Sequence, residues 1–512
     1  MILSSRAIPV ALLLAGALWF APTVHAVENP AAVPVKEIFD LVEKGRAALV
    51  AEKPAEAAKL LEQAIAQPGF NNADPAIQYF AYLVASYAAE GTEDNASAHK
   101  YLVAATRFPD ADAELWTRRA GAAARLQKWD DAAWSLTAVA NKWPKEFKTD
   151  EYHTWLLNKT VRELGKQPQF HERRIDLLNA LFDAGYKTQY GTEPSHLWLI
   201  VVTDAIEHKD LKRAREVSRR ITSSSVLVAM RIDKRFDELT SAEPKLFDVK
   251  AAAERSVRQT KSAMKENPKA LGAVVIHGYA LHNNGQFDEL LALANATIAK
   301  VDKATAKDAL YEDLDQLNWI HNHKATALRA LGRWDEAAAA LETWNNSDFN
   351  KDDKVSQSIN LGFFYNEMGK PEDALKAVAA FEVGKDMSEY GSTQYQFVRF
   401  QAYQQLGKDT EAKAIVAWMR EHQDDSLETA QGTLLESGDS DGAAALLVTR
   451  LNDANERAGA LASVQHYGKT PRTERQLKID ALTETFLARA DVVAAIAQYG
   501  RRETFPIYSL EF

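Results

Sequence analysis

Gly438, Ser440 and Gly442 spell GxSxG, the pattern of a nucleophile elbow, in which a serine on a sharp turn attacks a carbonyl. The elbow needs a strand before the serine and partners held by an α/β sheet. Here both flanks read as helix, and the Gly and Asp residues are ordinary turn formers. Asp348, Asn350 and Asp352 have the 1, 3, 5 spacing of a calcium loop, but Asp353 stands where the loop turns on Gly and Ile359 where it needs a bidentate Glu. His321 and His323 are about 200° apart around a helix, and His277 and His282 about 140°, so neither pair shares a face for a metal. No HExxH, phosphate-binding loop or dinucleotide glycine fingerprint occurs. The sequence therefore nominates no catalytic residue, no metal ligand and no cofactor.

The elements around these residues repeat. LeuGlyArgTrpAspGluAla at 331–337, MetGlyLysProGluAspAla at 368–374 and LeuGlyLysAspThrGluAla at 406–412 share one plan: a helix ends, a turn carries Gly, and an Ala-rich helix begins. Further copies place the equivalent of Ala337, Ala374 and Ala412 at Ala57, Ala132, Ala214 and Leu290, with weaker ones at Ala98, Arg173, Lys250 and Ala443. The average step is about 39 residues, enough for two helices and a turn. Leu341 and Trp344 follow Ala337 at +4 and +7, as Leu136 and Val139 follow Ala132, which is a helical period. A small residue at Ala337 or Ala132 lets paired helices approach closely, and Gly ahead of it can cap the preceding helix at positive φ.

These residues resemble the tetratricopeptide repeat family. Leu361, Gly362, Tyr365, Gly369 and Ala374 match its pattern closely, as do Trp116, Ala120, Trp129, Ala132 and Pro144, and Gly278, Gly285 and Phe287. The likeness covers most of residues 36–450, with a longer step than the family's usual 34. It implies an all-α fold, a right-handed superhelical solenoid of antiparallel helix pairs, whose concave face is lined by the first helix of each pair and takes peptides or partner helices. Projected unit by unit, that groove holds Tyr279, His282 and Asn283; Asn322, Thr326 and Arg329; Phe363 and Asn366; Gln401 and Gln404. Amides there would offer donor and acceptor to a peptide backbone, and rings flat apolar contact.

Three regions make up the chain by this reading. Residues 1–26 are laid out as a cleavable signal peptide, with Arg6, an apolar run from Ile8 to Phe20, and Val24-His25-Ala26 ahead of the cut. Residues 27–450 hold the repeats. Residues 451–512 form a helical cap, with helices over 475–490 and 492–499, and an apolar tail tucked onto it. The alternation of Tyr508, Leu510 and Phe512 resembles the terminal strand of an outer-membrane barrel, but no upstream strands support a barrel. No transmembrane span is expected once the leader is removed.

The chain has 512 residues, no Cys and a net charge of −10, so disulfides and thiol chemistry are excluded and a general nucleic-acid binder is disfavoured. One basic stretch, His208 to Arg235, runs against that balance; its Lys212, Arg213, Arg215, Arg219 and Arg220 make a possible anion patch. The expected role is an exported adaptor, periplasmic or secreted, that binds a protein or peptide partner in the cell envelope. Two alternatives stand beside it: a carrier of an anionic envelope polymer, and a hydrolase. Soluble lytic transglycosylases carry a helical superhelix, but they need a separate C-terminal domain with a Glu-Ser motif, whereas Glu436-Ser437 lies inside a repeat.

Overall fold

The computed structural model describes residues 34–304, 310–345 and 354–509. The leader, Asp348, Asn350, Asp352, Leu510 and Phe512 lie outside them. Among the described residues every regular element is a helix, strand pairing is confined to isolated bridges, and no helix is long and apolar enough to cross a membrane. The chain divides into two compact units, one ending at Gln189 and the other starting at Tyr190.

The first unit holds four helix pairs: α1 (Pro34–Val50) with α2 (Pro54–Ile65), α3 (Pro75–Gly91) with α4 (Asn95–Ala105), α5 (Ala113–Arg125) with α6 (Trp129–Lys142), and α7 (Glu151–Gly165) with α8 (His171–Asp183). Local chemistry sets the starts. The Asp74, Asp112 and Asp150 side chains accept backbone N–H bonds at the heads of α3, α5 and α7, satisfying donors that have no partner inside the helix.

The second unit begins with α9 (Ser195–Glu207), α10 (Leu211–Ser218), α11 (Ser224–Ile232), α12 (Asp237–Ala242) and α13 (Val249–Glu266). Regular pairs follow: α14 (Leu271–Asn283) with α15 (Phe287–Lys303), α16 (Leu317–Ala330) with α17 (Trp334–Asn345), α18 (Lys354–Glu367) with α19 (Pro371–Val378), α20 (Glu389–Gln405) with α21 (Asp409–Glu421), and α22 (Leu427–Glu436) with α23 (Ser440–Asn452). Short helices α24 (Arg457–Ser463), α25 (Glu474–Leu487) and α26 (Ala490–Tyr499) end the unit. Each unit is thus, among the described residues, an all-α stack of consecutive helix pairs.

One turn recurs with fixed geometry. Glu52, Glu93, Gln127, Lys209, Gly285, Gly332, Gly369, Gly407 and Gly438 all have positive φ, and each stands five residues before a buried residue of the following helix, Leu290 after Gly285 and Ala after the other eight. The next backbone N–H donates to the carbonyl five residues back, as from Lys53 to Ala48, Arg333 to Leu328 and Asp439 to Leu434. This bond closes the helix end with a left-handed residue, satisfying a carbonyl otherwise without a partner. The chain then re-enters a helix whose fourth residue is Ala57, Ala98, Ala132, Ala214, Leu290, Ala337, Ala374, Ala412 or Ala443, all buried.

Two of the weaker repeat centres need correction. The turn before α8 contains a 3-10 segment at Pro168–Phe170, and the approach to α13 runs through α12; neither has a left-handed residue. The register therefore slips: the fourth residue of α13 is the fully buried Ala252 rather than Lys250, and that of α8 is Arg174 rather than Arg173.

Neighbouring helices approach closely at Gly278, where a Cβ would stand 2.4 Å from the His323 ring. The ring lies edge-on to Tyr279 at 4.6 Å, and its Nε2 donates to the Val275 carbonyl at 2.9 Å. A side chain on residue 278 would push α16 off α14.

The tail reaches beyond the cap. Phe505 and Ile507 are 1% and 3% exposed, and the chain from Gly500 to Tyr508 runs between residues 464–468, the end of α11 and the α14–α15 turn. Arg501 N–H donates to the Ile232 carbonyl, Arg231 meets Glu503, and Tyr508 N–H donates to the Asn283 carbonyl. The helices that open the second unit are thereby joined to the residues that end it. Local periodicity carries no sign of such a junction.

Candidate interaction face

Phe363 on α18 and Phe397 on α20 are half-buried, with ring centroids 5.9 Å apart and edge-to-face; Phe397 stacks in turn against Phe400 at 6.3 Å. Side chains at i and i+4 share a helix face, so Phe397 leads directly to Gln401. The Gln401 Nε2 donates to Glu436 Oε1 at 2.8 Å, and the exposed Gln404 donates to the Glu436 carbonyl at 2.6 Å. Rings from the first helices of two consecutive pairs thus meet in a short apolar ladder, and the amides beside it bond to Glu436 on the first helix of the next pair.

Glu436 anchors the strip. Burial pushes its carboxyl above the ordinary Glu range, opposed by the Arg475 guanidinium at 2.8 Å and by Gln401. Arg475 comes from α25, so the cap seals this carboxylate. A general acid of glycoside hydrolysis must face its sugar, and Glu436 is closed off by these partners.

The projected groove positions divide by burial. Phe363, Gln401 and Gln404 belong to the ladder and its amides. Tyr279 and Asn283 are half-buried; the first packs on His323, and the second lends its carbonyl to the tail. His282, Asn322, Thr326, Arg329 and Asn366 are buried. Asn366 is 0% exposed, donates to the Val398 carbonyl at 2.8 Å and accepts from Gln405 at 3.2 Å. Arg329 faces Glu367 on the next pair at 3.5 Å, and His282 packs on Phe287 at 5.5 Å. Asn366 and Arg329 thus link adjacent repeats. Sequence reasoning passed over Phe397, although it lies one turn ahead of Gln401; Arg475 had no local signal.

Acidic neighbours face the arginines of the basic stretch. Arg213 pairs with Glu216 at 3.1 Å, Arg219 with Glu243 at 3.0 Å, and Arg220 with Glu193 at 2.8 Å, while Arg215 lies 4.0 Å from Glu238. Arg220 also lies over the Trp198 ring, and Lys212 is exposed. These pairings offset much of the positive field the spacing implies.

Ser440 is the first residue of α23, behind the Asp439 cap, and its Oγ accepts from Arg489 at 2.6 Å. A guanidinium cannot serve as a general base, and a helix and turn precede this serine. His321 stacks on Trp344 at 4.3 Å, and His277 Nδ1 meets Thr260 Oγ1 at 3.0 Å. Among the described residues no group of three or more His, Asp or Glu side chains is placed to hold a metal.

No family model matches the chain, and no curated protein matches it. Solved structures do. The Cut9–Hcn1 hetero-tetramer of the APC/C is 13% identical, over 91% of this chain and 88% of that one, with a TM-score of 0.29. Yeast Tom70 is 12% identical over 90% and 98%, with a TM-score of 0.22. The P58(IPK) TPR domain is 13% identical over 88% and 100%, with a TM-score of 0.18. These likenesses say nothing of what this chain binds.

Proposed function

We propose that this chain is an exported scaffold that binds an extended segment of a partner protein in the cell envelope, along the face that carries Phe363 and Phe397. The observation that carries this reading is the edge-to-face pair of half-buried rings crossing from one repeat to the next, flanked by Gln401 and Gln404. Rings left partly open beside amides suit a peptide, whose side chains need flat apolar contact and whose backbone needs donors and acceptors. Export is supported by the leader pattern of residues 1–26. The polymer-carrier alternative is weakened because Arg213, Arg219 and Arg220 already face carboxylates.

A photo-crosslinking residue at Gln404, compared with one at Val448 on α23, tests the face; Val448 is 40% exposed. The reading expects capture of a discrete protein from position 404 only, and its loss in a Phe363→Ala, Phe397→Ala variant. Equal capture from both positions, or capture indifferent to the two rings, overturns it. Export is checked separately by the N-terminus of chain recovered from the envelope, which should be Val27.

A further inference from the structure

The cleft that holds the tail has the features of a peptide-binding site. His466 N–H donates to the Glu503 carbonyl at 3.1 Å, Phe505 N–H to the His466 carbonyl at 2.8 Å, and Gly468 N–H to the Ile507 carbonyl at 2.8 Å, a short parallel pairing. On the other side, Arg501 N–H reaches the Ile232 carbonyl and Tyr508 N–H the Asn283 carbonyl, both at 3.0 Å. Side chains alternate: Phe505 and Ile507 are buried, while Thr504 and Pro506 between and before them are exposed. Tyr508 lays its ring on Phe287 at 4.9 Å, over Gly285 and Gly468. Backbone bonds that hold an extended chain, with pockets for alternate side chains, are how proteins bind strands.

Charge sets direction and register. Arg501 pairs with Asp237, Glu503 with Arg231 at 2.5 Å, and the Arg502 Nε donates to the Val464 carbonyl at 3.0 Å. Beside this lies a cleft of about 260 Å³ lined by Arg231, Thr240, Ser241, Phe247, Arg501 and Glu503.

We infer that residues 500–508 are a ligand held in cis, and that their cleft takes an extended segment of a partner protein with the same pattern. That pattern is two basic residues and an acid, then apolar side chains at alternate positions, ending in an aromatic ring. The inference goes beyond the Phe363 and Phe397 face and survives if crosslinking there fails. A trans segment must outcompete a tethered tail, whose effective concentration is on the order of millimolar, so the tail acts as a threshold on binding.

The probe is a fluorescent synthetic peptide of residues 500–509, titrated onto the full chain and onto a full-length Phe505→Asp, Ile507→Asp variant. The variant, folded by circular dichroism, should bind at least about tenfold tighter than wild type, because its own tail is released. A control peptide carrying the same two substitutions should bind neither. Equal affinities for the two proteins, or no binding to the folded variant, would mean the tail is structural only. Should the variant fail to fold, hydrogen exchange on wild type decides. Excess unlabelled peptide should speed exchange at Arg501, Phe505 and Tyr508, and unchanged rates overturn the inference.

Discussion

Arg231 and Glu503 meet at 2.5 Å although 272 residues separate them in sequence. The guanidinium is 38% exposed and the carboxylate 23%, so the pair is screened by solvent and contributes at most about 1 kcal/mol. Its value is directional: it aligns the tail so that Phe505 and Ile507 enter their pockets.

Substitutions where the tail docks should therefore divide by type. Arg231→Ala should lower the unfolding free energy only slightly, whereas Phe505→Ala, which empties a fully buried ring site, should cost roughly 3 to 5 kcal/mol. Urea titration compares the two, and amide exchange at Arg501 and Tyr508 shows whether the loss is confined to the tail.

The recurrent turn permits a test free of side-chain contacts. Gln127 has φ of 58° and an exposed side chain, so Gln127→Gly should raise stability by about 1 kcal/mol through relief of left-handed strain. Gly407 has φ of 65° and open space around its Cα, so Gly407→Ala should lower stability by a similar amount. Opposite shifts in the thermal midpoints are expected; shifts of the same sign would contradict the turn assignment.

Acid should loosen the second unit through its histidines. Burial lowers His321 and His323 to about 4 from an ordinary 6.5; Lys324 adds to the effect at His321 while Asp302 opposes it, and the bond to Val275 opposes it at His323. The folded state then binds fewer protons than the unfolded one. Stability from these rings is complete above pH 6.5 and is lost as pH falls toward 4. The gap corresponds to roughly 3 kcal/mol per histidine. Denaturant melts at pH 7.5 and 4.5 should show a smaller acid loss in His323→Gln than in wild type.

Asp131 should be the most sensitive carboxylate of the first unit. Burial opposes its ionisation, yet hydrogen bonds from Arg119 and His99 hold its carboxyl below the ordinary Asp value. His99 on α4, Arg119 on α5 and Asp131 on α6 tie two pairs together, with Arg119 also donating to Thr106 at 2.8 Å. Asp131→Ala leaves a buried guanidinium without its carboxylate and should cost about 3 to 5 kcal/mol. Unfolding monitored by tryptophan fluorescence should report it, because Arg119 lies over Trp134.

Local features of the sequence made the helix pairs legible, because each pair rests on signals a few residues apart. A left-handed residue, a buried small residue five positions later and apolar residues at +4 and +7 all fall within one turn and one helix. Arg173 and Lys250 were misplaced where the preceding turn lacks the left-handed residue that keeps register. Asn366 and Asn322 read as groove residues from helix position alone, but burial depends on how closely the next repeat docks, and Gly362 and Gly278 bring it close. The anchorage of the tail was hidden for a different reason: Arg501 and Tyr508 bond to the carbonyls of Ile232 and Asn283, hundreds of residues earlier, and pattern within a window cannot report that distance.

During synthesis the ribosome releases the end of α11 long before it makes the tail. Throughout that interval the sites around Ile232 and Asn283 stay uncovered, and a nascent chain presents them to whatever chaperone or neighbour is at hand. Those two carbonyls gain their partners only once residues 500–508 have been made, so a chain that stops before Gly500 would leave both sites open.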